Sequence, residues 1–227
     1  MSLRPAIPLY QHRGSRIVTG PAAEPISAND LRTHLRASAT ELPDADADVL
    51  IEEARQFIED TIGIALINQT WKLSIDRWPG GKEAWWDGVR EMSITELYNS
   101  SSTQSLYLPR YPLASVASIT TYDEASNSTS VTTANVFDVD TASLPGRLTL
   151  KRGQTWPVAL RANNAIEIVY VAGYGASGDD VPAPEKRAIK QLAAYMYSHR
   201  GDDCDPADAF IKSGASRIFD SYRTLRV

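Results

Sequence analysis

The sequence predicts an α+β fold, in which a small helical core carries a large antiparallel β insertion. Three observations predict it. Residues 47–62 repeat apolar side chains with the helical period, residues 71–76 alternate apolar and polar side chains, and the helical period returns after Gly173. Helical stretches on both sides of a block of alternating segments indicate that the strands are inserted between the helices.

The composition of the 227 residues is that of a globular protein. Apolar residues make up 43% and charged residues 22%, and the net charge of −5 does not favour binding to nucleic acid or anionic lipid. The single cysteine excludes an internal disulfide and is typical of a reducing cytoplasm. No apolar run approaches the roughly 20 residues of a membrane span, and the proline-containing N-terminus does not resemble a signal peptide.

The first 25 residues mix proline, glycine and basic residues, and no period persists, so we predict an extended N-terminal arm that becomes ordered against a partner. Ser27 then begins a short helix. Residues 27–30 resemble a capping box with Asp30 in place of glutamate, and Leu31 and Leu35 supply the buried face.

A long acidic helix follows Pro43, and Gly63 offers its left-handed end. The predicted buried face consists of Ala47, Leu50, Ile51, Ala54, Phe57, Ile58 and Ile62. The opposite, polar face consists of Glu52, Glu53, Gln56, Glu59 and Asp60, with Arg55 one turn before Glu59.

The region after this helix is predicted to be β, with residues 123–133 as a solvated hairpin tip. The candidate strands are Thr70–Arg77, Ser105–Leu108, Val116–Tyr122, Val136–Asp140, Arg147–Lys151 and Ala165–Val171. A second long helix is predicted from Pro184 to Gly201, and Asp205-Pro206 begins a short helix that Gly214 ends.

These boundaries divide the chain into four parts. We predict an extended arm over 1–25, a helical core over 26–69 and 174–213, a β insertion over 70–173 and a C-terminal docking segment over 214–227.

No motif predicts an enzyme. Residues 173–178 match the G-x-G-x-x-G pattern, but two aspartates and two prolines separate the third glycine from the next helix, which favours a simple glycine-rich turn. Asp44, Asp46 and Asp48 begin like a calcium loop that lacks its glycine and its final glutamate. We therefore predict no catalytic residue, no cofactor and no metal site.

Two aromatic or apolar clusters are candidates for binding. Trp78, Trp85 and Trp86 lie in a glycine-rich segment. One interpretation, which we favour, is that they cover the sheet or contact a partner. The other is that they form a carbohydrate platform. Near the C-terminus, an apolar stripe consists of Ile218, Phe219, Tyr222 and Leu225. A helix this short is unstable alone in water, so the stripe must pack on its own core or on a partner.

The order of several motifs resembles the head–tail connector, or adaptor, proteins of long-tailed phages and gene transfer agents. The resemblance covers residues 26–226. It rests on ISANDLRTHLR, the acidic helix followed by QTW, then LPRYPL, PGRLTLKRGQTWP, YVAGYG, the helix from DVPAPEKR and the closing IFDSYR.

The resemblance implies a structural virion protein at the head–tail junction, assembled in the host cytoplasm. Such adaptors form a ring, expected to be a dodecamer, between the portal protein and the tail-completion or stopper proteins. Their ring lines the channel through which DNA passes without specific binding, and no membrane is involved.

The resemblance also implies that the C-terminal segment docks on the portal. We assign this role to Arg217, Ile218, Phe219, Tyr222, Arg223, Leu225 and Arg226. Two alternatives remain: another head-completion or tail-terminator component, and, from a different class, a carbohydrate-binding β-domain protein that would use the three tryptophans.

Overall fold

The computed structural model describes residues 13–79, 105–200 and 205–220, and it confirms the α+β class. In chain order its elements are β1 (Arg13–Thr19), α1 (Ala28–Leu35), α2 (Asp44–Ile62), β2 (Gln69–Ile75), β3 (Ser105–Tyr107), β4 (Leu113–Tyr122), β5 (Ser128–Val131), α3 (Thr133–Val136), β6 (Phe137–Asp140), β7 (Arg147–Leu150), β8 (Ile166–Ala172), α4 (Ala183–Ser198), α5 (Pro206–Lys212) and α6 (Ala215–Ile218).

The chain forms two compact units. The helical unit contains Gly20–Gln69 and the chain from Ala172 onward, and the β unit contains Thr70–Val171 together with β1. In the helical unit, α2 and α4 are the long helices and pack on each other; α1 packs on both, and α5 and α6 pack on α4. Its core is built from the apolar faces that the helical period predicted, among them Ile51, Ile58 and Leu192.

The predicted caps of α1, α2 and α5 are confirmed, whereas α4 ends at Ser198 and not near Gly201. The Ser27 Oγ accepts the backbone N–H of Asp30 at 3.1 Å, while the Asp30 carboxylate accepts the N–H of Ser27 at 3.1 Å. Gly63 ends α2 with φ of 87°. Asp205 caps α5 by accepting the N–H of Ala207 at 2.9 Å, and Gly214 separates α5 from α6 with φ of 78°.

A buried ionic network lies where the sequence placed the polar face of α2. Arg55 is 4% exposed and Glu59 is 5% exposed. Arg55 donates to both carboxylate oxygens of Glu24, at 2.7 and 3.0 Å, and to Glu59 Oε2 at 2.9 Å. Glu59 Oε1 accepts the backbone N–H of Leu66 and the side-chain amide of Gln69, both at 2.8 Å. The expected polar face is therefore wrong at Glu59, because partners distant in sequence cover it.

The β unit holds two sheets among its described residues. The larger has the strand order β1-β2-β8-β4-β5, and the smaller has the order β3-β7-β6. Side chains alternate strictly between buried and half-buried along β2 and β8. The predicted inward positions Trp71, Leu73 and Ile75 are confirmed as buried.

Two strands lie where the sequence predicted none. β1 occupies part of the segment predicted as an extended arm, and it pairs antiparallel with β2, placing Ile17 opposite Trp71. β5 occupies the predicted hairpin tip and pairs antiparallel with β4. Their described side chains, from Gly14 to Thr19 and from Ser128 to Val131, are exposed or half-exposed, so no apolar alternation marks either strand.

We expect Arg55→Ala to lower the free energy of unfolding by about 3–5 kcal/mol, because the substitution leaves the buried Glu59 carboxylate without its cation. Burial disfavours the guanidinium charge, but the hydrogen bond to Glu24 and the charge of Glu59 outweigh it and raise the pKa of Arg55. Urea unfolding followed by circular dichroism measures the loss.

The matched control is Glu52→Ala. Glu52 also approaches Arg55, at 3.9 Å, but its side chain is 55% exposed, so its removal should change stability by less than about 1 kcal/mol. Equal losses from the two variants would contradict the assignment of stability to the buried network.

Candidate functional site

The glycines of the turn at residues 173–178 allow close packing of chain segments within the helical unit. Gly173 has φ of 146°, and a Cβ there would lie 2.5 Å from the backbone nitrogen of Asn68. The N–H of Asn68 donates to the carbonyl of Gly175 at 2.8 Å, so the two segments are joined at this point. A Cβ at Gly178 would lie 2.7 Å from the carbonyl oxygen of Pro25. Close backbone approach therefore explains Gly173 and Gly178 without a ligand.

A carboxylate of the chain itself occupies the place that an anion would need. Asp180 accepts the N–H and the hydroxyl of Ser177, both at 3.0 Å. These hydrogen bonds lower the pKa of Asp180 below its ordinary value, so the group is an anion at neutral pH. A pyrophosphate would meet this charge, which argues against a nucleotide site at the turn.

A cleft of about 620 Å³ lies near the beginnings of α1 and α4, within the helical unit. Its lining mixes acids and bases: Lys186 Nζ donates to the carbonyl of Gly178 at 3.0 Å, and Lys190 approaches Asp30 at 3.9 Å. These contacts tie the lysines to the chain's own oxygens. Among the residues that the structure describes, no group of three or more His, Cys, Asp or Glu side chains could hold a metal ion.

Trp78 belongs to an aromatic cluster inside the β unit. Its side chain is buried, its Nε1 donates to the carbonyl of Pro157 at 2.8 Å, and its ring stacks on Trp156 with centroids 4.8 Å apart. Phe137 completes the cluster, with its centroid 5.6 Å from that of Trp78. This burial agrees with the interpretation that Trp78 covers part of its own unit, and it corrects the alternative that Trp78 offers a partner surface. Trp85 and Trp86 lie outside the described residues.

The C-terminal segment packs on its own core as far as the structure describes it. Phe219 is fully buried, and its ring centroid lies 6.2 Å from that of Phe210, which in turn contacts Phe57 edge-on at 5.7 Å. The assignment of Phe219 to a docking surface is therefore wrong, because the ring is part of the helical unit. Arg217 is exposed and Ile218 is half-exposed, while Tyr222, Arg223, Leu225 and Arg226 lie outside the described residues.

A partly apolar, basic surface lies beside this buried turn. Ile211 is 61% exposed at the end of α5, and the exposed Lys212 and Arg217 follow it. Lys212 pairs with Asp208 at 3.2 Å. Ile211 and Arg217 thus give this part of the chain one exposed apolar side chain and one exposed cation.

None of the described helices is long and apolar enough to cross a membrane.

Comparison with known proteins identifies the fold. No protein-family model matches the chain, and no curated protein matches it significantly. A chain from the neck of an empty gene transfer agent (GTA) particle, computed with C6 symmetry, has a TM-score of 0.65 at 22% identity, covering 88% of this chain and 94% of that chain. A chain from the virion of a native GTA particle has a TM-score of 0.63 at 21% identity, covering 87% and 93%.

A third similar chain comes from the neck of a native GTA particle computed with C12 symmetry, with a TM-score of 0.60 at 22% identity over 88% and 94% of the two chains. The resemblance inferred from the sequence motifs is thus confirmed at the level of the fold. Because the match spans nearly all of each chain, it includes both the helices and the strands.

Phe219→Ala should lower the free energy of unfolding by about 3–5 kcal/mol, because it leaves a cavity in the helical core. Arg217→Ala, two residues away and exposed, should stay within about 0.5 kcal/mol of wild type. Urea unfolding measures both. A near-zero effect of Phe219→Ala would mean that the ring does not belong to the core.

Proposed function

We propose that this chain is a structural protein of the neck of a phage-like particle, acting as the head–tail adaptor between the portal and the tail-completion proteins. One observation carries the proposal: the fold is shared over 88% of this chain and 94% of a chain from a GTA neck. The match includes both the helices and the strands, so the fold as a whole, and not a single motif, supports the proposal.

The adaptor acts as a ring, expected to be a dodecamer. Two of the similar chains come from particle necks computed with C6 and C12 symmetry, which supports a cyclic arrangement. A ring requires each copy to contact its neighbours through two different surfaces, unlike a twofold dimer. Assembly takes place in the host cytoplasm, and the finished ring lies at the head–tail junction of the virion.

The outer face of α2 suits a wall of the DNA channel. Its exposed side chains include Asp46, Asp48, Glu52, Glu53 and Asp60, and α2 exposes no basic side chain. Each phosphate that a basic side chain neutralises adds salt-dependent affinity. A carboxylate surface avoids that affinity, so DNA can slide past the ring without binding to it.

Docking on the portal is assigned to the exposed part of the C-terminal segment. Phe219 stabilises the segment from inside, while Arg217 within the segment, and Ile211 and Lys212 just before it, are exposed. An exposed arginine can donate two hydrogen bonds to a carboxylate of the portal. The burial of Trp78 in the β unit argues against the carbohydrate-binding alternative, which needs this ring on an exposed surface.

Deleting the gene from the organism that produces the particles should yield heads and tails that do not join, since the connecting ring is missing. Electron microscopy of the particles provides the measurement, and expression of the wild-type chain from a plasmid is the control. Tailed particles of normal appearance in the deletion strain would contradict the proposal. If the deletion strain instead carries a tagged copy of the chain, density for the tag at another junction would identify a different head-completion or tail-terminator component.

Arg217→Ala should weaken binding to the purified portal by about tenfold or more, because exposed arginines that pair with a partner commonly dominate an interface. Lys151→Ala is the matched control, a part-exposed cation of the β unit that pairs with Asp138 at 3.7 Å. Biolayer interferometry measures the affinities. Unchanged affinity for Arg217→Ala, with an unchanged melting temperature, would remove this residue from the docking surface.

A further inference from the structure

We propose that the larger sheet of the β unit continues from one copy of this chain to the next, with β1 of one copy pairing with β5 of its neighbour. This inference rests on the ring proposed above, and it names the surfaces through which neighbouring subunits meet. The two strands are the outermost members of the sheet order β1-β2-β8-β4-β5.

β1 presents an open edge. It is seven residues long, and among the described residues it pairs with β2 alone. Every described side chain of β1 is exposed, including Ile17 at 50% and Val18 at 53%. Proteins usually shorten, charge or cover such an edge, because its free N–H and C=O groups attract other strands. β1 is instead long and carries two adjacent exposed aliphatic residues, so its edge is suited to pairing with a strand of another molecule.

Two features of β1 restrict which strand can pair with it. The register shifts between Ile17 and Thr19, and this bulge leaves Val18 without an opposite residue on β2. Arg16 lies opposite Lys72, whose charge is already paired with Glu167 at 2.5 Å. Arg16 therefore favours an incoming strand that brings no further positive charge.

β5 presents the opposite edge, and its hydrogen-bonding direction can be derived. Tyr122 donates its N–H to Ala165 and accepts the N–H of Leu160, so its backbone groups point away from β5. Ser128 lies opposite Tyr122, so it belongs to a pair without mutual hydrogen bonds. The N–H and C=O of Ser128, and by the two-residue period those of Ser130, therefore point outward from the sheet.

The chemistry of the two edges is complementary. β5 consists of Ser128, Thr129, Ser130 and Val131, so it is uncharged and suited to strand pairing. The exposed Glu124 lies in the turn that precedes β5, whereas β1 contributes Arg16 and no acid. A neighbour's β5 thus brings to β1 a strand of neutral charge with a carboxylate near its end.

The occupant is a second copy because both edges belong to the same sheet. Five strands spaced by about 4.8 Å place the edge strands roughly 19 Å apart, too far for them to pair within one open sheet. Pairing between copies joins two different surfaces, and such a head-to-tail contact repeats around an axis until it closes. Backbone hydrogen bonds would provide affinity, as they do when an added strand extends a sheet.

Cysteine cross-linking in isolated particles tests the inference. In a Cys204→Ser background, Ile17→Cys is combined in turn with a cysteine at each of the four positions of β5, Ser128, Thr129, Ser130 and Val131. Paired residues on adjacent strands have Cβ atoms about 4.5–5.5 Å apart, so at least one combination should cross-link. The expected result on a denaturing gel is a ladder of dimers, trimers and larger multiples that no single-cysteine variant produces.

Ser130→Pro provides the second measurement, with Ser130→Ala as its control. Proline removes an outward N–H but leaves the hydrogen bonds of β5 to β4 in place, so it should reduce the cross-linked fraction about tenfold; alanine should not. If the particles contain the chain but no combination cross-links, the inference is overturned and the proposed function stands. If the particles lack the chain altogether, the proposed function fails, and the inference fails with it.

Discussion

The helical unit depends on the charge of Arg55 being fully paired out of solvent. Removing a guanidinium and a carboxylate from water is costly unless every remaining hydrogen-bonding position is filled. Here Glu24 fills one side of Arg55, and Glu59 fills the other while also accepting the Leu66 N–H and the Gln69 amide. Glu24 comes from the chain before α1, and Leu66 and Gln69 come from the chain after α2, so the network holds both segments against α2.

This network explains both the success and the failure of the sequence-based expectations for α2. Its ends and its apolar face follow from local rules, namely the spacing of Ile51, Ala54 and Ile58 and the conformational freedom of Gly63. The burial of Glu59 does not, because it depends on Glu24 and on a backbone N–H seven residues further along the chain. A helical period records which side chains share a face, but not which polar side chains find partners.

The residues that the sequence suggested for partner binding show the same limit of prediction from local sequence. Phe219 and Trp78 are aromatic residues in short or glycine-rich segments, and each is buried against an aromatic residue of its own unit, Phe210 or Trp156. Nothing in the local sequence distinguishes an aromatic anchor for a partner from one for the chain's own core, because both need the same apolar area. Arg217, on the same turn as Phe219, remains outward because a guanidinium without a partner is too costly to bury.

The strands that the sequence did not predict are also those with the least buried side-chain area. β2 and β8 are recognisable because one of their faces is buried, which enforces alternation. β1 and β5 are held by backbone pairing on one side, and backbone pairing leaves no side-chain pattern. A strand that contributes so little to the core of its own chain conserves its second row of hydrogen-bonding groups for another molecule. In the proposed ring, the strands that leave no side-chain pattern in the sequence are therefore the ones whose outer backbone groups can join neighbouring subunits.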